Sequence, residues 1–293
     1  MKRALVGIRA ALLAGLLVTP RPAAAAELKP EAVQGFDRYV QLTEQRMQGE
    51  LLSGGAFLWV DGLPEAGRND AYTRLQHGEV VTERLETRNL AGPFHLPGAL
   101  IHHWVGTVFI PGAALEQVLT LVQDYDRHRE YYSPEVVKSG ILERTGNDFK
   151  IHLRLKQKKI ITVVFDTEHE VHYMHLDANR AHSRSYSSRI VEVQHPGETR
   201  ERPLPAGKDR GFLWRLNSYW RFVETNSGVY VQCEAISLTR DIPAGLHWLI
   251  GPLIESIPRE SLDFTLRSTR TAVLRSDPKV FAGVPFRQRE VRP

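Results

Sequence analysis

The stretch EHEVHYMH, from Glu168 to His175, sets His169, His172 and His175 three residues apart. Closely spaced imidazoles suit either a metal centre, where ring nitrogens are the ligands, or proton transfer near neutral pH. Further polar groups follow in HSRSYSSR (182–189), where Arg184 offers a planar fork to a carboxylate or head group and Tyr186 offers a phenol. A buried arginine needs a partner, and Glu234 and Glu224 are candidates. His169, Tyr173, Arg184, Tyr186 and Glu234 together are the residue types that a cavity enzyme would use for acid–base work.

The element that carries the histidines decides between these chemistries. Read as a strand, 160–175 places Val163, Phe165, Thr167, His169, Val171, Tyr173 and His175 on one face. Thr162, Val164, Asp166, Glu168, Glu170 and His172 fall on the other. His172 then points away from His169, and His169 and His175 stand about 20 Å apart. Zinc ligands must converge to within about 2.1 Å of the ion, so no metal site is expected here. HEVH is also one residue short of the His-Glu-x-x-His pattern. What remains is His169 and Tyr173 as polar points beside Phe165 in an apolar pocket, with His172 in solvent.

Neighbouring segments support a pocket or an ordinary core. FLWRLNSYWRF (212–222) sets Trp214, Leu216, Ser218, Trp220 and Phe222 on one face, an aromatic wall with few polar groups. FKIHLRLK (149–156) alternates apolar residues inward with Lys150, His152, Arg154 and Lys156 outward, the pattern of a solvated sheet face. No nucleophile elbow, phosphate loop or dinucleotide fingerprint occurs, so no cofactor is expected. Cys233, the single cysteine, reads as a small buried strand residue.

Around these residues the chain alternates in a definite order. Helical spacing covers 30–52, and GAFLWVDGLP (55–64) and EVVTERLETR (79–88) read as strands, in an N-terminal extension over 27–98 packed on a main domain over 99–275. From Ile101 come a strand, a helix over 113–132, and six strands near 136–144, 149–156, 160–175, 181–193, 212–224 and 229–239. A long helix closes the series, with Leu253 and Ile257 in its apolar stripe and Pro252 and Pro258 expected to bend or restart it. The expected class is α+β: a curved antiparallel sheet of about six to eight strands wrapped around a long C-terminal helix.

Composition narrows the setting. Lys2, Arg3 and Arg9, a short apolar run and AAAA (23–26) have the form of a secretory leader cut near Ala26. The leader holds four of the 38 basic residues and no acid, leaving a mature chain with equal basic and acidic counts. Nucleic acid is therefore not an expected partner. The expected protein is exported, periplasmic if the source is Gram-negative, with a basic and poorly ordered tail over 276–293.

TRDIPAGLHWLIGPLIESIPRESLDFTLRSTR (239–270) resembles the C-terminal signature of START-type lipid-transfer domains. VGTVFIPGAALEQVLTLVQDYDRHREYYSPEVVKSGIL (105–142) is similar to the opening of the same helix-grip superfamily, which includes birch-pollen-allergen-type and polyketide-cyclase-type proteins. The likeness spans roughly 100–275. It implies an internal pocket for a sterol, lipid, polyketide or other apolar molecule, enclosed by the sheet and the final helix. Expected lining residues are Phe165, His169, Tyr173, Arg184, Tyr186, Trp220, Glu234, Leu253 and Ile257. Binding, and shuttling with transient membrane contact, is the leading expectation; a cyclase, isomerase or hydrolase on the same cavity is the second, and an interaction protein without ligand the third.

Overall fold

A computed structural model describes residues 27–276 except 53, 160, 206 and 243–246; for 247–254 it describes the backbone alone. The leader and the basic tail lie outside the described residues. The chain opens with helix α1 (Pro30–Leu52), whose buried Ala32, Phe36, Tyr39, Thr43 and Met47 recur at helical spacing and form one stripe. GAFLWVDGLP is not a strand. Trp59–Gly62 forms a tight helical turn instead, held because Asp61 Oδ2 accepts from Leu58 N at 2.9 Å and Asp61 Oδ1 from the Tyr72 hydroxyl. Tyr72 belongs to α2 (Glu65–Gln76), a helix not anticipated, since only Ala71 and Leu75 of its residues are buried and its periodicity is faint.

Strands β1 (Val81–Arg84), β2 (Arg88–Asn89) and β3 (Gly92–Pro93) lead into β4 (Ala99–Pro111). The helix expected over 113–132 is shorter and broken at Asp124, giving α3 (Leu115–Gln123) and the single turn α4 (His128–Tyr131). The expected strand series comes next as β5 (Val136–Thr145), β6 (Asp148–Lys158), β7 (Thr162–His175), β8 (Arg180–Gln194), β10 (Arg215–Thr225) and β11 (Gly228–Arg240), with the two-residue β9 (Arg202–Pro203) pairing on β8. α5 (His247–Arg275) runs through both Pro252 and Pro258 as one helix, so the expected restart does not occur.

The main sheet is antiparallel, in the order β1-β4-β11-β10-β8-β7-β6-β5. The final helix lies against its inner face and α1 and α2 against its outer face, so the fold is the helix-grip α+β architecture of START-like domains. Leu262 and Leu266 of α5 pack on β4 at Gly106, where a methyl group would come within 2.6 Å of Leu266 Cδ1. On the opposite wall Gln157 Nε2 of β6 donates to Ser261 Oγ at 2.8 Å, and Lys159 pairs with Glu260. α5 therefore bridges the two ends of the curved sheet.

Candidate ligand site

Strand register arranges the inner face into rows that cross the sheet. Nearest the C-terminal half of α5, Val108, Val231, Phe222, Ala181 and His175 lie side by side. The next row is Gly106, Cys233, Trp220, Ser183 and Tyr173. These two rows are filled from above by Leu262, Leu266 and Val273 of α5 with Leu115, Val118 and Val122 of α3 in one continuous core. Tyr173 is buried there, its hydroxyl 2.8 Å from that of Tyr125, and burial raises its pKa far above the ordinary value. Trp220 stacks on Phe222.

Two further rows have a different character. One runs Trp104, Ala235, Ser218, Ser185, Val171 and Phe149. The other starts at His102 beside Ser237, passes Leu216, whose N–H donates to Ser187 Oγ at 3.0 Å, and ends at His169 beside Ile151. Serines and an alanine occupy the middle of both rows, and Trp104, Ala235, Ser218, Leu216 and Ser187 stay partly exposed. Toward the ends of the rows Phe149, Val171, Ile151, His102 and His169 are buried, so the partial exposure is concentrated at their centre, around Ala235 and Ser218. Arg84, in the same row as Trp104, pairs with Glu255 at 3.5 Å. With Leu262 and Leu266 over Gly106 and Glu255 by Arg84, α5 runs from the Gly106 row to the Trp104 row.

His102 and His169 stand at the two ends of the second row, each 4 % exposed. Burial pushes the pKa of both down to about 4, with Arg84 adding to the effect at His102. Both are therefore neutral at physiological pH. His102 Nε2 is 2.9 Å from Thr239 Oγ1, and His169 Nε2 is 3.0 Å from Thr167 Oγ1.

The other candidate residues divide by face. Phe165, His169, Tyr173 and Trp220 share the inner face. Ile257 lies partly buried on α5, while the side chain of Leu253 lies outside the described residues. Arg184, Tyr186 and Glu234 do not join them. Arg184 is exposed on the outer face, and Tyr186 donates its hydroxyl to Glu44 of α1 at 2.7 Å. Glu234 is buried beneath α1, paired with Arg46 and with His103 at 2.7 Å. Burial alone would raise the Glu234 pKa, but His103, Arg46 and Arg221 hold it below the ordinary carboxylate value. His103 Nδ1 lies 2.8 Å from the Tyr39 hydroxyl, and Arg221 donates to Glu50 at 2.7 Å and to Phe57 O at 2.8 Å. These groups fasten the N-terminal helix to the sheet, and the acid–base set of the cavity-enzyme expectation is thereby split across the sheet.

The three histidines of the opening motif separate as alternation requires. His169 is buried on the inner face, His172 pairs with Asp148 at 2.6 Å on the outer face, and His175 lies three rows from His169. Sequence reasoning placed Ser218 beside Trp220 but missed His102, Trp104, Ala235, Ser185 and Ser187. IHHWVG does place His102, Trp104 and Gly106 on one face by alternation, but only the strand register sets them opposite His169.

No protein-family model matches the chain, and no curated protein matches it. Among solved structures, similar chains include a STAR-related lipid transfer protein from Xanthomonas axonopodis, 20 % identical with TM-score 0.43, covering 66 % of this chain and 99 % of that one. A START superfamily protein from Mycobacterium smegmatis is 13 % identical with TM-score 0.39, covering 59 % and 97 %. An aromatase/cyclase from a Streptomyces species is 12 % identical with TM-score 0.38, covering 60 % and 95 %. Likeness at this level says nothing of what this chain binds; the helix-grip assignment rests on its own strand order and final helix.

Proposed function

We propose that the protein binds an apolar small molecule between α5 and the small-residue centre of these two rows of the inner face, and carries it outside the cytoplasm. The observation that carries the reading is the partly exposed Ala235 on a central strand, flanked by the likewise partly exposed Ser218 and Trp104 on the two strands beside it. A protein that needed only a core would gain about 25 cal/mol per Å² by filling this position with a larger apolar side chain. The leader-like start supports an exported carrier. Transfer rather than storage would require α5 or a loop beside it to move.

Titration with N-phenyl-1-naphthylamine tests the binding step. Saturable fluorescence enhancement is expected, greatly weakened by Ala235→Trp while the far-ultraviolet circular dichroism stays unchanged. Absence of saturable binding, or binding indifferent to Ala235→Trp, would sink the reading. Sequencing the secreted or periplasmic protein should find an N-terminus near Glu27; retention of the leader in the cytoplasm would refute export.

A further inference from the structure

The hydrogen-bonding state of the two inner histidines constrains the ligand. Thr167 Oγ1 donates its one proton to Leu153 O at 3.0 Å. It can therefore only accept from His169, which must carry its proton on Nε2. Thr239 Oγ1 likewise donates to Arg240 O at 3.2 Å, so His102 also carries its proton on Nε2. In each neutral ring Nδ1 is then a bare lone pair, and neither makes a hydrogen bond among the described residues.

Charge on the same surface points the same way. Neither of the two rows contains an acidic or basic side chain from β4 to β6. Among the described residues, cations stand only at the two ends of the Trp104 row: Arg84, paired with Glu255, on the edge strand β1, and Arg144 on β5, whose guanidinium lies over the Phe149 ring at 4.6 Å from its centroid. Glu192, next to Phe165 on the inner face, already accepts from Arg210 N at 3.0 Å and pairs with its side chain. An anionic head group in the middle of these rows, between Ala235 and Ser185, would meet lone pairs, with the arginines confined to the two outer strands.

We infer that the interior selects a neutral apolar molecule that bears a hydroxyl group, which donates its proton to Nδ1 of His169 or of His102. The inference deepens the proposed function and rests on it. The rows set the two acceptors four strands apart, about 19 Å along the sheet, so a rigid ligand hydroxylated at both ends would engage both, and a singly hydroxylated one either.

The test is competition against N-phenyl-1-naphthylamine at about pH 7 by three molecules of equal chain length: a long-chain primary alcohol, its methyl ether and the corresponding carboxylate. The alcohol should displace the fluorophore about tenfold more effectively than the ether, which accepts but cannot donate, and more effectively than the carboxylate. The double variant His102→Phe/His169→Phe should bring the alcohol-to-ether ratio close to one while still binding the fluorophore. Should that variant fail to fold, Thr167→Val combined with Thr239→Val reads the same step, because loss of both threonine oxygens releases the tautomers and narrows the ratio. Equal displacement by ether and alcohol would overturn the donor requirement. Strongest displacement by the carboxylate would overturn neutrality and point to Arg84 or Arg144 as an anchor. Fluorophore binding with no displacement by any of the three would overturn the inference while leaving the site intact; no fluorophore binding would overturn both.

Discussion

His103 and Glu234 are diagonal neighbours on β4 and β11, with Nε2 2.7 Å from the carboxylate and each side chain 2 % exposed beneath α1. The acid also holds Arg46 of α1, so one buried carboxylate joins the sheet to the N-terminal helix. Glu234→Ala would leave Arg46 and His103 without their acceptor and should cost about 3–5 kcal/mol. Urea unfolding measures it. Because the pair is on the outer face, fluorophore affinity of the folded variant should match that of the parent; a selective loss of binding would place Glu234 in the ligand site after all.

Stability should fall in mild acid. His102, His128 and His169 are buried, and each has its pKa pushed down to about 4 from 6.5. The folded protein thus binds these protons less readily than the unfolded chain, so their contribution is complete above about pH 6.5 and is lost as pH falls toward 4. Each histidine accounts for about 3 kcal/mol at most over that window. Glu234, held below its ordinary value, adds a loss only at the acidic end, below about 4.5. Thermal melts from neutral pH downward should show a steady decline, shallower in His169→Phe. A flat profile between pH 7 and 5 would contradict the burial of these rings.

Gly106 sets the height of α5 above the sheet. A Cβ there would lie 2.6 Å from Leu266 Cδ1, 3.0 Å from Thr82 Cγ2 and 3.3 Å from Leu262 Cδ2. Gly106→Val should therefore destabilise the protein by about 1–3 kcal/mol through forced repacking. Paired Gly106→Val and Leu266→Ala should recover part of that loss in a denaturation series. Additive losses would show that the helix does not rest on this strand.

The strands, the final helix and the separation of His169 from His172 follow from local pattern. A period of two alternates side chains between faces whatever lies above them, so EHEVHYMH could be sorted without knowing the fold. Phe149, Ile151, Phe165 and Tyr173 were legible for the same reason, since their strands alternate apolar with polar residues. Arg184 and Tyr186 were not, because HSRSYSSR is polar in both phases and gives alternation no direction. Glu234 was hidden differently. Helices cover both faces of β11, which leaves nearly every residue of GVYVQCEAISLTR buried and erases the contrast that marks an inner face.

Sequence alone therefore determined which residues share a face within most strands, and that a long helix must close the sheet; on β8 the irregular pairing at Ser188 breaks the alternation, so that Ser187 and Glu192 share a face. Only the tertiary structure decided which face of each strand looks inward and which residues of different strands stand in one row. Register is a property of hydrogen bonds between segments distant in the chain, and it is register that sets His102 on β4 in line with His169 on β7. The same long-range pairing moved Glu234 out of the expected pocket and under α1, where it anchors the N-terminal helix instead.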